Sequence, residues 1–385
     1  MSQPQNLPEP DNNALTASQA LCALMRQEAA QQGSLPFSRF MALALYAPQY
    51  GYYSGGATQF GEGGDFVTAP TLTPLFGQTL AQQIAELLPQ TDGIIYEFGA
   101  GGGQLAVQLL QTLPQDLVRE YCIIELSAAL AARQKQYIAE NAPAAQSKIK
   151  HLNRLPENFN GIIIGNEVLD AMPVEVVRQT ENGLSRMGAV WRDKAFDWQE
   201  LPLDDTRLRQ EANKYLPHGI FPYTTELHPQ QQAFIKSLAE KLQRGAMIWI
   251  DYGFDAAQYY HPQRSKGTLM GHYRHHSIDN PFFYPGLMDL TAHVNFTAIA
   301  EAAIDSGLDL IGYTTQSHFL LNLGLTELLT QIGNPADFSY IHAAAACQTL
   351  TAPQEMGELF KVIAFGKNID VDWRGFRAGD ICHKL

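Results

Sequence analysis

Apolar residues recur at three- and four-residue spacing over positions 15–32, where Gly33 ends the run, and again over 36–47. Both stretches predict amphipathic helices, the first with a glycine stop. Positions 50–74 lose that period. Gly51, Gly55, Gly56, Gly61, Gly63 and Gly64 punctuate them, and Asp65, Phe66, Val67 and Thr68 stand between the last of these glycines and Pro70. Backbone so rich in glycine can approach a ligand closely. After a helix predicted over 75–88, short apolar runs alternate with helical periods: a strand over 93–98, a glycine turn over 99–103, a helix over 104–113 and a strand over 121–126. That order is a βαβ unit. A helix over 128–140 leads to apolar runs at 161–165 and 246–250, which have the character of parallel strands covered on both faces.

Between those two runs, 178–202 predicts short strands around Trp191 and Trp198, and 204–244 predicts polar turns with a helix, together an insertion. Positions 255–285 are rich in Tyr, His, Gly and Pro and predict a long loop over the ligand-binding edge of the sheet. A helix over 296–305, a strand over 308–315, helices through 319–348 and a strand over 360–365 complete an enlarged Rossmann-like α/β fold. The domain reading is linear. A helical and glycine-rich cap covers 14–92, and the sheet domain covers 93–367 with insertions near 178–245, 255–290 and 317–355.

A length of 385 residues allows two or three domains, or one enlarged by insertions. The balance of 26 Lys+Arg against 39 Asp+Glu leaves a formal charge of −13, which opposes a surface built to neutralise nucleic-acid phosphates. Cys22, Cys122, Cys347 and Cys382 lie far apart with no C-x-x-C pair, which suits a reducing compartment and offers no zinc or dithiol motif. Positions 1–13 lack a basic-then-apolar leader, and no apolar run approaches the ~18 residues of a membrane span. The expectation is a cytoplasmic protein without membrane insertion.

The chemistry concentrates at strand ends. Glu97-Phe98-Gly99-Ala100-Gly101-Gly102-Gly103 falls where the first strand turns into a helix, and Glu125 closes the next strand, near the ~20-residue offset of a carboxylate that grips ribose hydroxyls. Together they indicate a nucleoside cofactor, although Gly101-x-Gly103-x-x-Ala106 also fits a relaxed dinucleotide fingerprint. Glu97 would oppose a pyrophosphate but suits the amino group and sulfonium of S-adenosylmethionine. At ~5 Å and an effective dielectric of ~20 the interaction with one unit charge is worth about 3 kcal/mol, of opposite sign in the two cases. Glu125 has a second reading as the cap of the following helix, a role open to Ser127 as well. Asn166, Glu167 and Asp170 emerge at the end of a buried strand, where they would orient an acceptor, and a carboxylate pair suits a guanidinium. Asp251 ends a later strand. His293 is a candidate general base with a structural role as its rival. His272, His275 and His276 have no acidic partner motif that would favour a metal site, and the aromatic residues Tyr259, Tyr260, Tyr273, Phe282, Phe283 and Tyr284 suggest a hydrophobic lid.

Several of these phrases occur as an ordered set. Gly51-Tyr52-Tyr53, Phe60-Gly61 with Gly64-Asp65-Phe66-Val67-Thr68, Glu97 through Gly103, Asn166-Glu167 with Asp170-Ala171 and Pro173-Val174, Asp251-Tyr252-Gly253, Asp289-Leu290-Thr291, Gln316-Ser317-His318-Phe319-Leu320 and Met356-Gly357 resemble the MidA family, over roughly residues 37–367. The resemblance implies a class I S-adenosylmethionine-dependent methyltransferase with a seven-stranded sheet whose last strand is antiparallel. The family's mitochondrial members are assembly factors of respiratory complex I, and for them the resemblance further implies symmetric dimethylation of a protein arginine in a subunit of that complex. Three positions depart from the family pattern: Ala100 stands for Pro, Thr71 for Glu, and Asn295 for an acidic residue.

The leading expectation is therefore a protein arginine methyltransferase that uses S-adenosylmethionine and no metal. Gly99, Gly101 and Gly103 would shape the donor pocket, Glu125 would hold the ribose, Glu97 would face the methionyl end, and Asp65 and Thr68 would help close the site. Asn166 would serve both donor and acceptor, with Glu167, Asp170 and His293 on the acceptor side. The rival is a non-catalytic binding protein or assembly chaperone of a respiratory complex that keeps the fold. An NAD-dependent oxidoreductase ranks behind both.

Overall fold

The structure, a computed structural model, describes residues 7–55 and 67–385. The described residues divide into two compact units, and the division does not follow a linear boundary at residue 92. The first unit takes the N-terminal residues up to 55 with Asp170–Gln231 and Ala256–His293. The second takes Val67–Leu169, Gln232–Asp255 and Val294–Leu385. Helix Leu75–Leu87 belongs to the second because Leu75, Phe76, Leu80 and Ile84 bury themselves in the core of its sheet.

Seven strands make the main sheet of the second unit: β1 (Ile94–Phe98), β2 (Glu120–Ile124), β3 (Ile149–Leu152), β4 (Phe159–Asn166), β5 (Leu242–Phe254), β6 (Asp309–Thr315) and β7 (Phe360–Lys367). Their order is β3-β2-β1-β4-β5-β7-β6, and the two-residue strand Val294–Asn295 adds to the end of β5. Strands β1 to β5 run parallel, whereas β7 is antiparallel to both β5 and β6. The strand order reverses between β1 and β4, so a crevice opens beyond their carboxyl ends, where open α/β sheets bind ligands.

The apolar runs that predicted parallel strands are buried on both faces. Ile162, Ile164, Ile248 and Ile250 pack with Leu80, Ile84, Leu105 and Leu109 of the covering helices. On the opposite face the Phe98, Phe234 and Trp249 rings lie 5.2 to 6.0 Å apart. Each such side chain contributes about 1.5–3 kcal/mol when fully buried, so a two-faced strand has no place for alternating polar residues. The edge strand β6 is covered by the C-terminal segment, where the Ile381 amide donates to the Tyr313 carbonyl and the Tyr313 amide to Asp380 Oδ2. Unpaired edge groups are thereby withheld from other strands.

The first unit opens with helix Asn12–Gln32, capped by Asp11, and helix Phe37–Tyr46. Five antiparallel strands, Leu35–Pro36, Glu175–Thr180, Gly183–Arg192, Ala195–Pro202 and Tyr223–Leu227, form its larger sheet. Three expectations are corrected here. Positions 204–244 contain a strand, Tyr223–Leu227, as well as helices Thr206–Tyr215 and Pro229–Lys241. Its Glu226 is buried and satisfied by the Thr268 and Leu269 amides and the Tyr259 hydroxyl, contacts that a polar-looking stretch conceals. Positions 255–285 are not one long loop, because Met270–Tyr273 pairs with both His276–Ile278 and Asp289–Thr291. Tyr259, Tyr260, Tyr273 and Phe282 are buried within this unit, and Phe282 meets Phe37, Phe40 and Trp198 edge-on. These rings are core rather than a lid.

Candidate functional site

The glycine turn leaves β1 with Gly99 at φ 63°, Gly101 at φ 52° and Gly103 at φ 93°, the left-handed region that favours glycine. Gly99 is further constrained by packing, since a Cβ there would stand 2.7 Å from Val168 Cγ2. Gly103 caps helix Gln104–Thr112 without a side-chain acceptor. Amides at such a helix start favour a negatively charged group such as a carboxylate.

Glu97 lies in the middle of this framework but is only 2% exposed, and its Oε2 accepts from the Tyr121 hydroxyl at 2.8 Å. Burial pushes its carboxyl up to about 8, so the group keeps its proton through the neutral range. The argument from charge sign presupposes an ionised Glu97. With a protonated carboxyl, discrimination between a sulfonium and a pyrophosphate is weaker than the sequence suggests.

Glu125 follows β2 and is half-buried, and loss of hydration raises its carboxyl above the ordinary range. Its Oε1 accepts from the Ser127 amide at 2.7 Å and its Oε2 from Gln134 Nε2 at 3.2 Å. The capping question is settled by Ser127, whose Oγ accepts from the Leu130 amide at the start of helix Ala128–Asn141. Gln134, absent from the sequence-based set, also donates to the Gly101 carbonyl at 3.0 Å. Its detectable signal is a polar residue at four-residue spacing between Leu130 and Ile138, the apolar stripe of that helix.

At the end of β4, Asn166 Nδ2 donates to Glu167 Oε1 at 3.0 Å, while the buried Asn166 Oδ1 has no hydrogen-bond partner among the described residues. Such an acceptor calls for a donor, and the amino group of a methionyl moiety is one. Glu167 has φ 54°, unusual for a side chain with a Cβ, and its amide donates to the Ile250 carbonyl at 2.9 Å. Asp251, only 1% exposed, holds the next two residues, with Oδ2 accepting from the Val168 amide at 3.1 Å and the Leu169 amide at 2.9 Å. It is therefore a brace between the ends of β4 and β5. Its position at a strand end was the sequence signal.

Thr68 starts helix Ala69–Leu72, and its amide donates to Thr71 Oγ1 at 3.0 Å. Thr71 occupies the third helical position, where Glu serves in a capping box, so the family's acid and this threonine can perform the same capping task. Asn295 likewise caps helix Phe296–Ile304, with Oδ1 accepting from the Ala298 amide. The expected contact from Asp65 falls outside the described residues.

Among the candidates, Thr68, Glu97, Gly99, Gly101, Gly103, Glu125, Asn166 and Glu167 belong to the second unit. Asp170 and His293 belong to the first, where the Asp170 carbonyl accepts from the Ala292 amide and the His293 amide donates to Thr268 Oγ1. His272 Nε2 meets Thr291 Oγ1 at 3.2 Å, while Arg274 and His275, at φ 45° and 64°, make the turn of a hairpin. No helix among the described residues is long and apolar enough to cross a membrane.

Residues 75–314, well over half of the chain, match the profile of a family of S-adenosyl-L-methionine-dependent methyltransferases. A crystal structure from Burkholderia thailandensis, of a protein assigned as a methyl transferase and bound to S-adenosyl-homocysteine, is 46% identical, with a TM-score of 0.93, over 99% of this chain and 100% of that one. The Drosophila melanogaster mitochondrial protein arginine methyltransferase NDUFAF7 homolog is 24% identical over 94% of this chain and 89% of its own. The Mus musculus NDUFAF7 is 25% identical over 86% of this chain and 81% of its own.

Proposed function

Because the chain belongs to the family of S-adenosyl-L-methionine-dependent methyltransferases, we propose that its acceptor is an arginine side chain of another protein. The observation that carries this reading is Glu167, a carboxylate kept at a strained backbone position at the end of β4 and tied to Asn166. Strain at a non-glycine residue persists where the surroundings over-determine it, commonly at functional positions. The fly and mouse relatives, named as protein arginine methyltransferases, support the same acceptor class.

S-adenosylmethionine supplies an electrophilic methyl group on a sulfonium. Around it, Glu125 receives the ribose hydroxyls, the start of helix Gln104–Thr112 receives the carboxylate, and Asn166 Oδ1 receives the amino group. Glu167 binds the guanidinium, which stays charged until late in transfer, and orients one nitrogen toward the methyl. It also accepts the proton that this nitrogen loses. Asp251 maintains the turn that presents Glu167.

The test supplies methyl-labelled S-adenosylmethionine and a respiratory-complex subunit preparation from cells lacking this protein, followed by hydrolysis and amino-acid analysis. Label in methylated arginine is expected. Label confined to another residue type would refute the arginine assignment. Cofactor binding with no transfer to any acceptor would favour the binding-protein alternative.

A further inference from the structure

We infer that Gln134 is a positioning residue of the S-adenosylmethionine site, its side-chain amide holding the Gly101 carbonyl and the Glu125 carboxylate in fixed relation. Gln134 lies in helix Ala128–Asn141 and is 0% exposed. Its Nε2 donates to Gly101 O at 3.0 Å and to Glu125 Oε2 at 3.2 Å, while Oε1 meets His151 Nε2 at 3.1 Å. Both amide hydrogens are thereby used.

The neighbours determine which way the amide points. A flipped amide would place Oε1 against a carbonyl and a carboxylate, leaving two repulsive contacts where there are now two hydrogen bonds. Burial and the nearby Lys135 hold His151 below its ordinary value, consistent with a neutral imidazole whose Nε2 hydrogen points at Gln134 Oε1. With Ser127 on one oxygen and Gln134 on the other, the Glu125 carboxylate is oriented before any ligand arrives. The carboxylate keeps lone-pair capacity for a ribose hydroxyl. Gly101, free of side-chain restraint at φ 52°, gains through its carbonyl the anchor that glycine itself lacks. One side chain therefore links the part of the turn facing the cofactor to the residue gripping its sugar, and lowers the ordering cost of binding.

Calorimetric titration of S-adenosylhomocysteine tests the inference without turnover. Gln134→Leu, similar in volume and without polar atoms, should bind it ~10–100-fold more weakly, the range expected for lost hydrogen bonds to a charged and a neutral acceptor. The loss should centre on the ribose. The 2′,3′-dideoxy analogue, which offers Glu125 no hydroxyl, should weaken far less, and Gln134→Leu should cost less in a Glu125→Ala background. A merely structural glutamine would weaken both ligands equally and add independently to Glu125→Ala. Unchanged affinity, within ~2-fold, in a folded Gln134→Leu protein overturns the inference. Should that variant fail to fold, a crystal structure of the wild-type protein with S-adenosylhomocysteine decides: retained contacts from Gln134 to Gly101 and Glu125 support it, and an amide turned away from both refutes it. Failure of the wild-type protein to bind would instead strike at the cofactor assignment.

Discussion

Replacing Glu167 by glycine should abolish methyl transfer and relieve the backbone strain at that position. The left-handed backbone at φ 54° costs an L-residue about 1–2 kcal/mol, whereas glycine brings an entropic cost of about 0.5–1 kcal/mol. At the backbone alone the difference favours glycine by about 0.5–1 kcal/mol. The backbone bond to Ile250 and the brace from Asp251 do not involve the Glu167 side chain and survive. Glu167→Ala separates strain from chemistry, because it loses the same carboxylate but keeps a Cβ. It should therefore be less stable than the glycine variant by about 1 kcal/mol, against the usual order of the two residues. Urea unfolding measures the stabilities, calorimetry with S-adenosylhomocysteine checks that the donor site is intact, and single-turnover transfer measures the chemistry. An alanine variant more stable than the glycine variant, or a glycine variant with wild-type turnover, would refute the reasoning that the strain is retained for the carboxylate.

Removing the brace should have the opposite sign. Asp251→Ala leaves the Val168 and Leu169 amides without their carboxylate acceptor and should cost about 3 kcal/mol in urea unfolding, with transfer reduced in parallel; a loss under about 1 kcal/mol would remove its bracing role. Gly99→Ala places a methyl group against Val168 in left-handed backbone, so donor affinity should fall, and Val168→Ala in the same chain should restore part of it; no restoration would show that the contact is not the cause. Glu97 makes stability depend on pH. Because its carboxyl moves from the ordinary 4.5 to about 8 in the folded chain, the native state holds a proton that the unfolded state has released between those values. Its contribution to stability is therefore greatest below that window and declines as pH rises through it, so Glu97→Gln should flatten the fall in urea midpoint between about pH 5 and about pH 8. An identical slope in both proteins would place the burden on other groups.

The sequence made the second unit legible because its strands are continuous apolar runs and its turn is spelled in glycine. Glu125 and Asn166 stand out in the sequence because strand ends are recognisable before the sheet order is known. The first unit was harder. Its strand Tyr223–Leu227 carries a buried Glu226 whose partners lie some forty residues onward, at Thr268 and Leu269, and no local pattern reveals such pairing. Gln134 was missed for a related reason: one polar residue in an amphipathic stripe looks like noise until its two acceptors are seen. The sequence exposed the charge of Glu97 but not its burial, and burial decides whether that charge exists. Thr71 and Asn295 departed from family pattern yet sit at helix starts, where several short polar side chains are interchangeable.

The chain leaves the second unit after Leu169 and again after Asp255, close to the two strand ends joined by Asp251. The points of departure are thus fastened to each other rather than merely to the sheet. Segments between them can lengthen, shorten or be exchanged over evolutionary time while their roots remain in register with the donor turn. Changes within those excursions would leave the ends of β4 and β5, and the Asn166 and Asp251 they carry, braced as before.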